Sequence, residues 1–501
     1  MRGGGAFPLR RRDHISSGVF RQYPPRGGAS SNTDVAQYAN SLEMPEPQLP
    51  TTEDATPFVS LRTLALRGAL WTFLGFGGSQ VLRLAFNLIL ARLLVPEFFG
   101  LMALVWTIAT GVNLFCDLGV SPAVVRDPRG DSPEFLNTAW ALQIVRGSGL
   151  ALVCLVLAPP MAAFYGDPRL RWILPLIGLT SVASGFTSTS LITLQRHMVV
   201  KPVVVMEFVI QAVSGVLMVS WALLRPSVWA LVGGSMAPFM LKMVWSHFLI
   251  PGRADRIAWD RTALHALFIF GRWVWMSSIL TFLASQVDRL ILGKLFTLQM
   301  LGVYSIATMI AEVPRALVLA MIRNVIFPAY SKSAGLPRQE LRIKVLRYRR
   351  ALLTAMACGI AALAAGGDIL IRVLYDKRYA AGTWMLPILA LGLWPSLLSK
   401  TIESSLAAIG KPRYAAFGDL FKVLFTAIGI PLGFSMAGTA GAVIVVALND
   451  IPYYVQIAYG LWREGLNSFA QDLKATAFLA GLLSLALAAR LLFGAGIPIH
   501  P

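Results

Sequence analysis

Apolar stretches of about 20 residues, the length a helix needs to cross roughly 30 Å of hydrocarbon, recur from Leu70 almost to the C-terminus of this chain. Thirteen segments can be marked, at roughly 68–93, 98–125, 135–163, 170–194, 202–224, 227–250, 265–293, 300–329, 350–375, 383–409, 414–434, 437–461 and 470–493. A soluble domain has no interior large enough to bury them. Only 14% of the 501 residues are charged, against about 25% in a soluble globular domain. The expected fold class is all-α, a polytopic membrane protein.

The formal charge of +19 would suggest nucleic acid in a soluble protein. Here the basic residues sit in short connections between apolar segments, as in cytoplasmic loops of membrane proteins, and no nucleic-acid partner is expected. A cytoplasmic N-terminus places Arg126, Arg129, Arg196, Lys201, Arg256 and the run Arg338, Arg342, Lys344, Arg347, Arg349, Arg350 on the cytoplasmic side. The excess over the opposite side is about two to one.

Residues 1–66, rich in Gly, Pro, Ser and Arg without apolar periodicity, read as a disordered cytoplasmic tail. They are not a secretory signal, because Arg10, Arg11 and Arg12 lead into Asp13-His14 and not into an apolar core. Translation from Met44 is the alternative reading. Cys116, Cys154 and Cys358 fall inside apolar segments and imply neither disulfide nor zinc.

An internal repeat organises the rest. Ala91–Gly100 reads ARLLVPEFFG and Gly293–Gly302 reads GKLFTLQMLG, so that a basic residue, a leucine and a terminal glycine coincide. Tyr165, Asp167, Leu174-Pro175 and Lys201-Pro202 are answered by Tyr375, Asp376, Leu386-Pro387 and Lys411-Pro412 with small gaps. Each half thus holds six helices in the same order, giving two six-helix bundles related by a pseudo-two-fold axis along the membrane normal. The expected organisation is a bundle over 67–250, a cytoplasmic connection over 251–264, a second bundle over 265–462, and an additional C-terminal helix and tail over 463–501.

Charged residues inside membrane helices cost about 2.5 kcal/mol or more on insertion scales, so they normally face a partner or a watery cavity. Arg83 shares a helix face with Gln80 and Asn87, and repeat alignment brings Asn87 opposite Arg289, which follows Asp288. Glu312/Arg315, Lys400/Glu403 and Asp419/Lys422 stand at i,i+3 spacing, which puts each acid and base on one face. Such pairs can simply neutralise themselves. Alternatively they open and free a cation for an anionic head group. Arg83 and Asp117 are the clearest buried charges of the first half. The expected substrate-lining set is Arg83, Asn87, Arg289, Arg315 and Lys422, because Arg and Lys make charge-assisted hydrogen bonds to phosphate oxygens.

No catalytic constellation is visible. The five histidines are scattered, with no HExxH and no paired ligands, so no metal or other cofactor is expected.

Ala91–Gly100, Asp117-Leu118-Gly119 and Asp288-Arg289-Leu290-Ile291-Leu292-Gly293-Lys294 resemble the Wzx-type flippases of the polysaccharide transport family. So do Leu301–Ala307, Pro314 and Phe327–Ser331. That family belongs to the multidrug/oligosaccharidyl-lipid/polysaccharide exporter superfamily. The resemblance covers about 65–462.

It implies a V of two bundles in the bacterial inner membrane, turning a polyprenyl-pyrophosphate-linked oligosaccharide outward by alternating access for exopolysaccharide or O-antigen synthesis. Membrane lipids, a polysaccharide polymerase and export machinery are the implied partners. Coupling to a proton or sodium gradient is implied too, with Asp117, Asp288, Glu312, Glu403 and Asp419 as candidates. Two readings compete: a cation-coupled multidrug exporter of the same superfamily, and a membrane glycosyltransferase or polysaccharide polymerase. The short outer loops leave the latter little room for catalytic groups.

Overall fold

The computed structural model describes residues 61–115, 119–197, 199, 201–250, 255–322 and 337–492; residues 1–60 of the expected tail, Asp117 and Phe327–Ser331 lie outside them, and the last six residues of that tail, 61–66, are corrected to helix. The first half contains α1 (Leu61–Leu93), α2 (Pro96–Phe115), α3 (Val120–Arg126), α4 (Pro133–Tyr165), α5 (Leu170–Gly185), α6 (Ser190–Arg196), α7 (Lys201–Leu224) and α8 (Val228–Ser246). The second contains α9 (Arg261–Leu295), α10 (Leu298–Ala311), α11 (Val313–Met321), α12 (Arg338–Leu374), α13 (Gly382–Ala408), α14 (Arg413–Leu448), α15 (Asp450–Arg463) and α16 (Phe469–Leu492). Among the described residues all regular structure is helical. Each of the thirteen expected segments corresponds to a helix, a broken helix pair or one arm of a hairpin. Eight described helices are long and apolar enough to cross a membrane, or ten if each bent pair is one span.

Local chemistry sets the helix ends. Ser132, Asp260 and Thr297 accept backbone N–H groups at the starts of α4, α9 and α10, satisfying donors that have no partner within the helix. α14 reverses at Ala437 and Gly438, where Gly438 takes φ +58°, a conformation cheap only without a Cβ. Its two arms then touch backbone to backbone at Gly433 and Gly441. The eleventh and twelfth expected segments are therefore a hairpin.

Each half has its own apolar core. Leu101, Val105, Leu150, Ile173 and Leu231 belong to the first, and Tyr304, Leu353, Leu386 and Tyr453 to the second. Outward-facing side chains are apolar as well, with Leu224 at 84%, Met436 at 86% and Leu492 at 87% exposure. A surface of that kind suits lipid, where close packing and interhelical hydrogen bonds, not the hydrophobic effect, hold helices together.

The two lobes meet through equivalent positions of the repeat. Gly100 and Gly302 approach so closely that a Cβ on the first would overlap the Leu298 carbonyl and one on the second the Pro96 carbonyl. Around them Arg92 Nε donates to the Leu374 carbonyl at 3.3 Å, and its counterpart Lys294 Nζ donates to the Phe164 carbonyl at 2.5 Å. Phe164 and Leu374 stand at the same offset as Tyr165 and Tyr375, so the contact is reciprocal. Arg169 reinforces this end by pairing with Asp167 (2.7 Å) and Glu97 (2.5 Å). Hydrogen bonding to Asp167, and then to Glu97, raises the guanidinium pKa and keeps the clamp charged.

The thirteenth segment, outside the repeat, is no loose appendage. α16 lies parallel to α12 and is fastened to it by two buried ion pairs, Arg349 with Asp472 and Arg490 with Asp368. The charges alternate between the helices, so neither carries an uncompensated pair. Tyr454 and Ser468 hydroxyls also donate to Asp472, at 3.0 and 3.2 Å.

Candidate functional site: charged cavities within the helical lobes

A cavity of about 340 Å³ opens among α9, α10, α11, α13, α14 and the start of α15. Asp288, Arg289, Glu312, Arg315 and Lys422 line it, together with Asp450. Five residues singled out from the sequence are thus gathered in one place. Their immediate partners were less legible. Arg315 pairs with Glu312 at 2.9 Å, as the spacing suggests, and Lys400 with Glu403 at 2.8 Å. Lys422, however, reaches Asp450 at 2.6 Å and not Asp419.

The expected Asp419/Lys422 pair is therefore corrected. Helical spacing puts the two side chains on one face, but α15 brings a second carboxylate directly over the ammonium. Asp419 is half-buried and forms no ion pair among the described residues. Lys400, Glu403, Lys422 and Asp450 all act on it electrostatically.

Within the cavity Tyr304 donates to Asp288 at 2.6 Å. Arg289 donates to Gln286 Oε1 at 3.2 Å and has no carboxylate within salt-bridge distance among the described residues. Of the three cavity cations, Arg289 alone is thus free of an ion pair among the described residues. Because Gln286 also accepts from Thr107 of α2 at 3.4 Å, this amide links Arg289 to the other lobe.

Arg83 stands elsewhere. It is exposed, donates to Gln80, and its carbonyl accepts from Asn87 Nδ2 at 3.2 Å, so the three do form one polar row along α1. None of the three lines the cavity of the second lobe. The sequence reading of Arg83 as a buried charge is corrected: α1 leaves it on an accessible face.

A second cavity, of about 400 Å³, lies in the first lobe where α2 gives way to α3 and α5 to α6. Broken helices expose backbone groups that an unbroken one would satisfy, the usual construction of transporter sites. Asn113, Gln143, Ser181, Ser188, Arg146 and Lys242 contribute polar atoms. Arg146 donates to the Asn113 carbonyl at 3.1 Å, while Lys242 pairs with Glu207 at 3.1 Å. Sequence reasoning missed Arg146, although it carries the same signal as Arg289, a charge in the middle of an apolar helix. Asp450 and Tyr304 were missed because their roles come from helices that meet only in the fold. Among the described residues no cluster of His, Cys, Asp and Glu could hold a metal ion.

The model of a family described as "Polysaccharide biosynthesis protein" matches residues 89–382, more than half of the chain. The chain belongs to this family. Among curated relatives, the family member is 24% identical over 452 residues to the succinoglycan biosynthesis transport protein ExoT of Rhizobium meliloti, covering 88% of this chain and 90% of that one. It is 21% identical to the lipopolysaccharide biosynthesis protein WzxC of Escherichia coli, covering 80% and 82%.

Among solved structures, the lipid II flippase MurJ in an inward closed conformation matches with a TM-score of 0.63 at 13% identity, covering 84% of this chain and 93% of that one. An inward-facing multidrug resistance MATE transporter matches at 0.60 and 14% identity, covering 77% and 94%. These likenesses establish the fold, two helical lobes.

Proposed function

We propose that this protein is a flippase that turns a polyprenyl-pyrophosphate-linked oligosaccharide across the bacterial inner membrane by alternating access, serving exopolysaccharide or O-antigen assembly. The observation that carries the reading is the charged cavity of the second lobe, where Arg289 presents a guanidinium without a carboxylate partner among the described residues. A pyrophosphate is the kind of ligand such a group recognises, through charge-assisted hydrogen bonds in a low-dielectric setting. The near-full-length similarity to a succinoglycan transport protein supports a polysaccharide precursor as cargo.

The chain acts as a transporter and not as an enzyme. The bundles extend over 67–250 and 265–462 and rock about the Gly100/Gly302 junction. With the N-terminus in the cytoplasm, that junction closes the outer side and the substrate enters from within. Arg83 and Asn87 line the path from α1, and Arg289, Arg315 and Lys422 line it from the second lobe. Asp288, Glu312, Glu403 and Asp419 are the coupling carboxylates, Asp419 first among them because among the described residues it has neither an ion pair nor a hydrogen bond, whereas Asp288 accepts from Tyr304. Asp117 remains in the set by its place in the sequence. A polysaccharide polymerase takes the flipped unit onward.

The test is a deletion strain complemented by this gene, scored for surface polysaccharide and for polyprenyl-linked repeat units left on the cytoplasmic face. Loss of polymer with accumulation of inward-facing intermediates is expected. Normal polymer without accumulation would sink the flippase reading and favour the multidrug exporter.

A further inference from the structure

The opening turns of α12 carry Arg342, Lys344, Arg347 and Arg350, all exposed, and none forms an ion pair among the described residues. α12 has 37 residues, which at 1.5 Å each is about 55 Å, whereas hydrocarbon of roughly 30 Å needs only about 20. The uncharged stretch begins at Ala351. The preceding turns therefore project past the hydrocarbon, and the cations stand at the level of lipid head groups.

Other features mark this end as interfacial. Ile343 lies within the basic face and is 59% exposed, the pattern of a helix that presses an apolar side chain between head groups. Trp462 and Phe469, at 66% and 60% exposure, flank it at the ends of α15 and α16. Arg342 Nε donates to the Asn467 carbonyl at 2.8 Å, which ties α12 to that connection. Exposed Arg463 and Lys474 add to the charge. At the corresponding end of the first lobe Arg129 pairs with Asp127 at 3.4 Å and Arg196 with Asp131 at 2.9 Å, while Arg126, Arg256 and Arg261 are exposed without an ion pair among the described residues but are not gathered on one helix.

We infer that this end of the second lobe is a binding surface for anionic phospholipid head groups, with the α12 cations on the phosphates and Ile343, Trp462 and Phe469 seated among the acyl-chain ends. Basic clusters next to membrane helices bind acidic lipid through the surface potential, and aromatic rings settle at the same depth. The inference needs only that the helices lie in a bilayer and is independent of what is transported.

The full chain, purified in detergent with equal phosphatidylglycerol and phosphatidylcholine, would be analysed for retained lipid by mass spectrometry. Phosphatidylglycerol should be enriched about threefold or more. Enrichment should fall to parity in R342Q/K344Q/R347Q/R350Q and persist in the first-lobe control R126Q/R129Q/R256Q/R261Q. For the unmodified protein, about 1 M salt, where the Debye length is about 3 Å, should abolish it; this arm decides the matter if the quadruple variant fails to fold. Parity in the unmodified protein, enrichment that survives the α12 substitutions, or equal loss in the control would each overturn the inference. So would patch-dependent binding of polyprenyl pyrophosphate without phosphatidylglycerol enrichment, which would make the surface a collector of substrate.

Discussion

Gly302 packs against Gly100 across the lobe junction, each glycine lying under the carbonyl of the residue that opens its partner's helix. The contact joins equivalent positions of the repeat, so a Cβ on either side presses on rigid backbone that has no rotamer to change. Gly302→Val should lower the thermal midpoint in detergent by several degrees, since overpacking costs roughly 1–3 kcal/mol. Gly359→Ala, where nothing lies within 4 Å of the added carbon, should be neutral. Equal midpoints for Gly302→Val and the unmodified protein would show that the lobes do not rest on this contact.

The buried pair of Lys422 and Asp450, 2.6 Å apart, predicts strong non-additivity. Removing one partner strands the other charge away from water, typically about 3–5 kcal/mol of destabilisation, while removing both leaves no orphan. Lys422→Met and Asp450→Leu should each reduce the folded yield in membranes more than the double variant does. Additive losses would mean that the pair is hydrated and contributes little.

α16 should be indispensable to the second lobe. Arg349 is fully buried and bonds to Asp472, to Thr401 Oγ1 at 2.8 Å and to the Leu398 carbonyl at 2.6 Å. Arg349→Ala leaves Asp472 buried without its cation, and Asp472→Asn strands Arg349. Either single change should deplete mature protein. The combination of Arg349→Met with Asp472→Leu should recover part of it. An unchanged level of Arg349→Ala in the membrane would contradict the fastening role.

Much of this architecture was legible in the chain. Apolar length located the helices, and the recurrence of a basic residue, leucine and glycine revealed the repeat; that its two copies meet at Gly100 and Gly302 emerges only in the fold, where the same close approach is needed on both sides of the axis. Helical spacing found Glu312/Arg315 and Lys400/Glu403, which are local. It failed for Lys422, whose partner Asp450 is 28 residues away and is delivered by the turn after α14. It failed for α16 too, since the pairing of Asp368 with Arg490 depends on which helices become neighbours, and spacing within one helix carries no such information.

The carboxylate of Asp260 caps α9, accepting from Thr262 and Ala263, and these bonds hold its pKa below 3.8. A depressed folded-state pKa means that the stabilisation is complete above the unfolded value, about 3.9, and is lost as pH falls through the folded one. Asp260→Ala should therefore melt earlier than the unmodified protein near neutrality, and the gap should close in acid below about pH 4. Asp260→Ser, which keeps an uncharged cap, should retain most of the stability without the pH dependence. A gap that stayed constant into acid would show that the charge on the cap is irrelevant.

Arg289 provides the sharpest test of the site, because its neighbours Arg315 and Lys422 already hold carboxylates and it does not. If the pyrophosphate binds there, Arg289→Gln should cut export at least about tenfold, the loss expected for one charge-assisted bond of about 1.5–3 kcal/mol. Protein level should stay normal, since no buried carboxylate is left behind. Arg289→Lys, retaining the charge but not the fork, should recover part of the activity. Arg315→Gln should instead lower the amount of folded protein, because it uncovers Glu312. Full export by Arg289→Gln at normal protein levels would remove this residue from the substrate path and shift attention to Arg146 in the first lobe, whose cavity has a similar volume and a richer set of hydroxyl and amide groups.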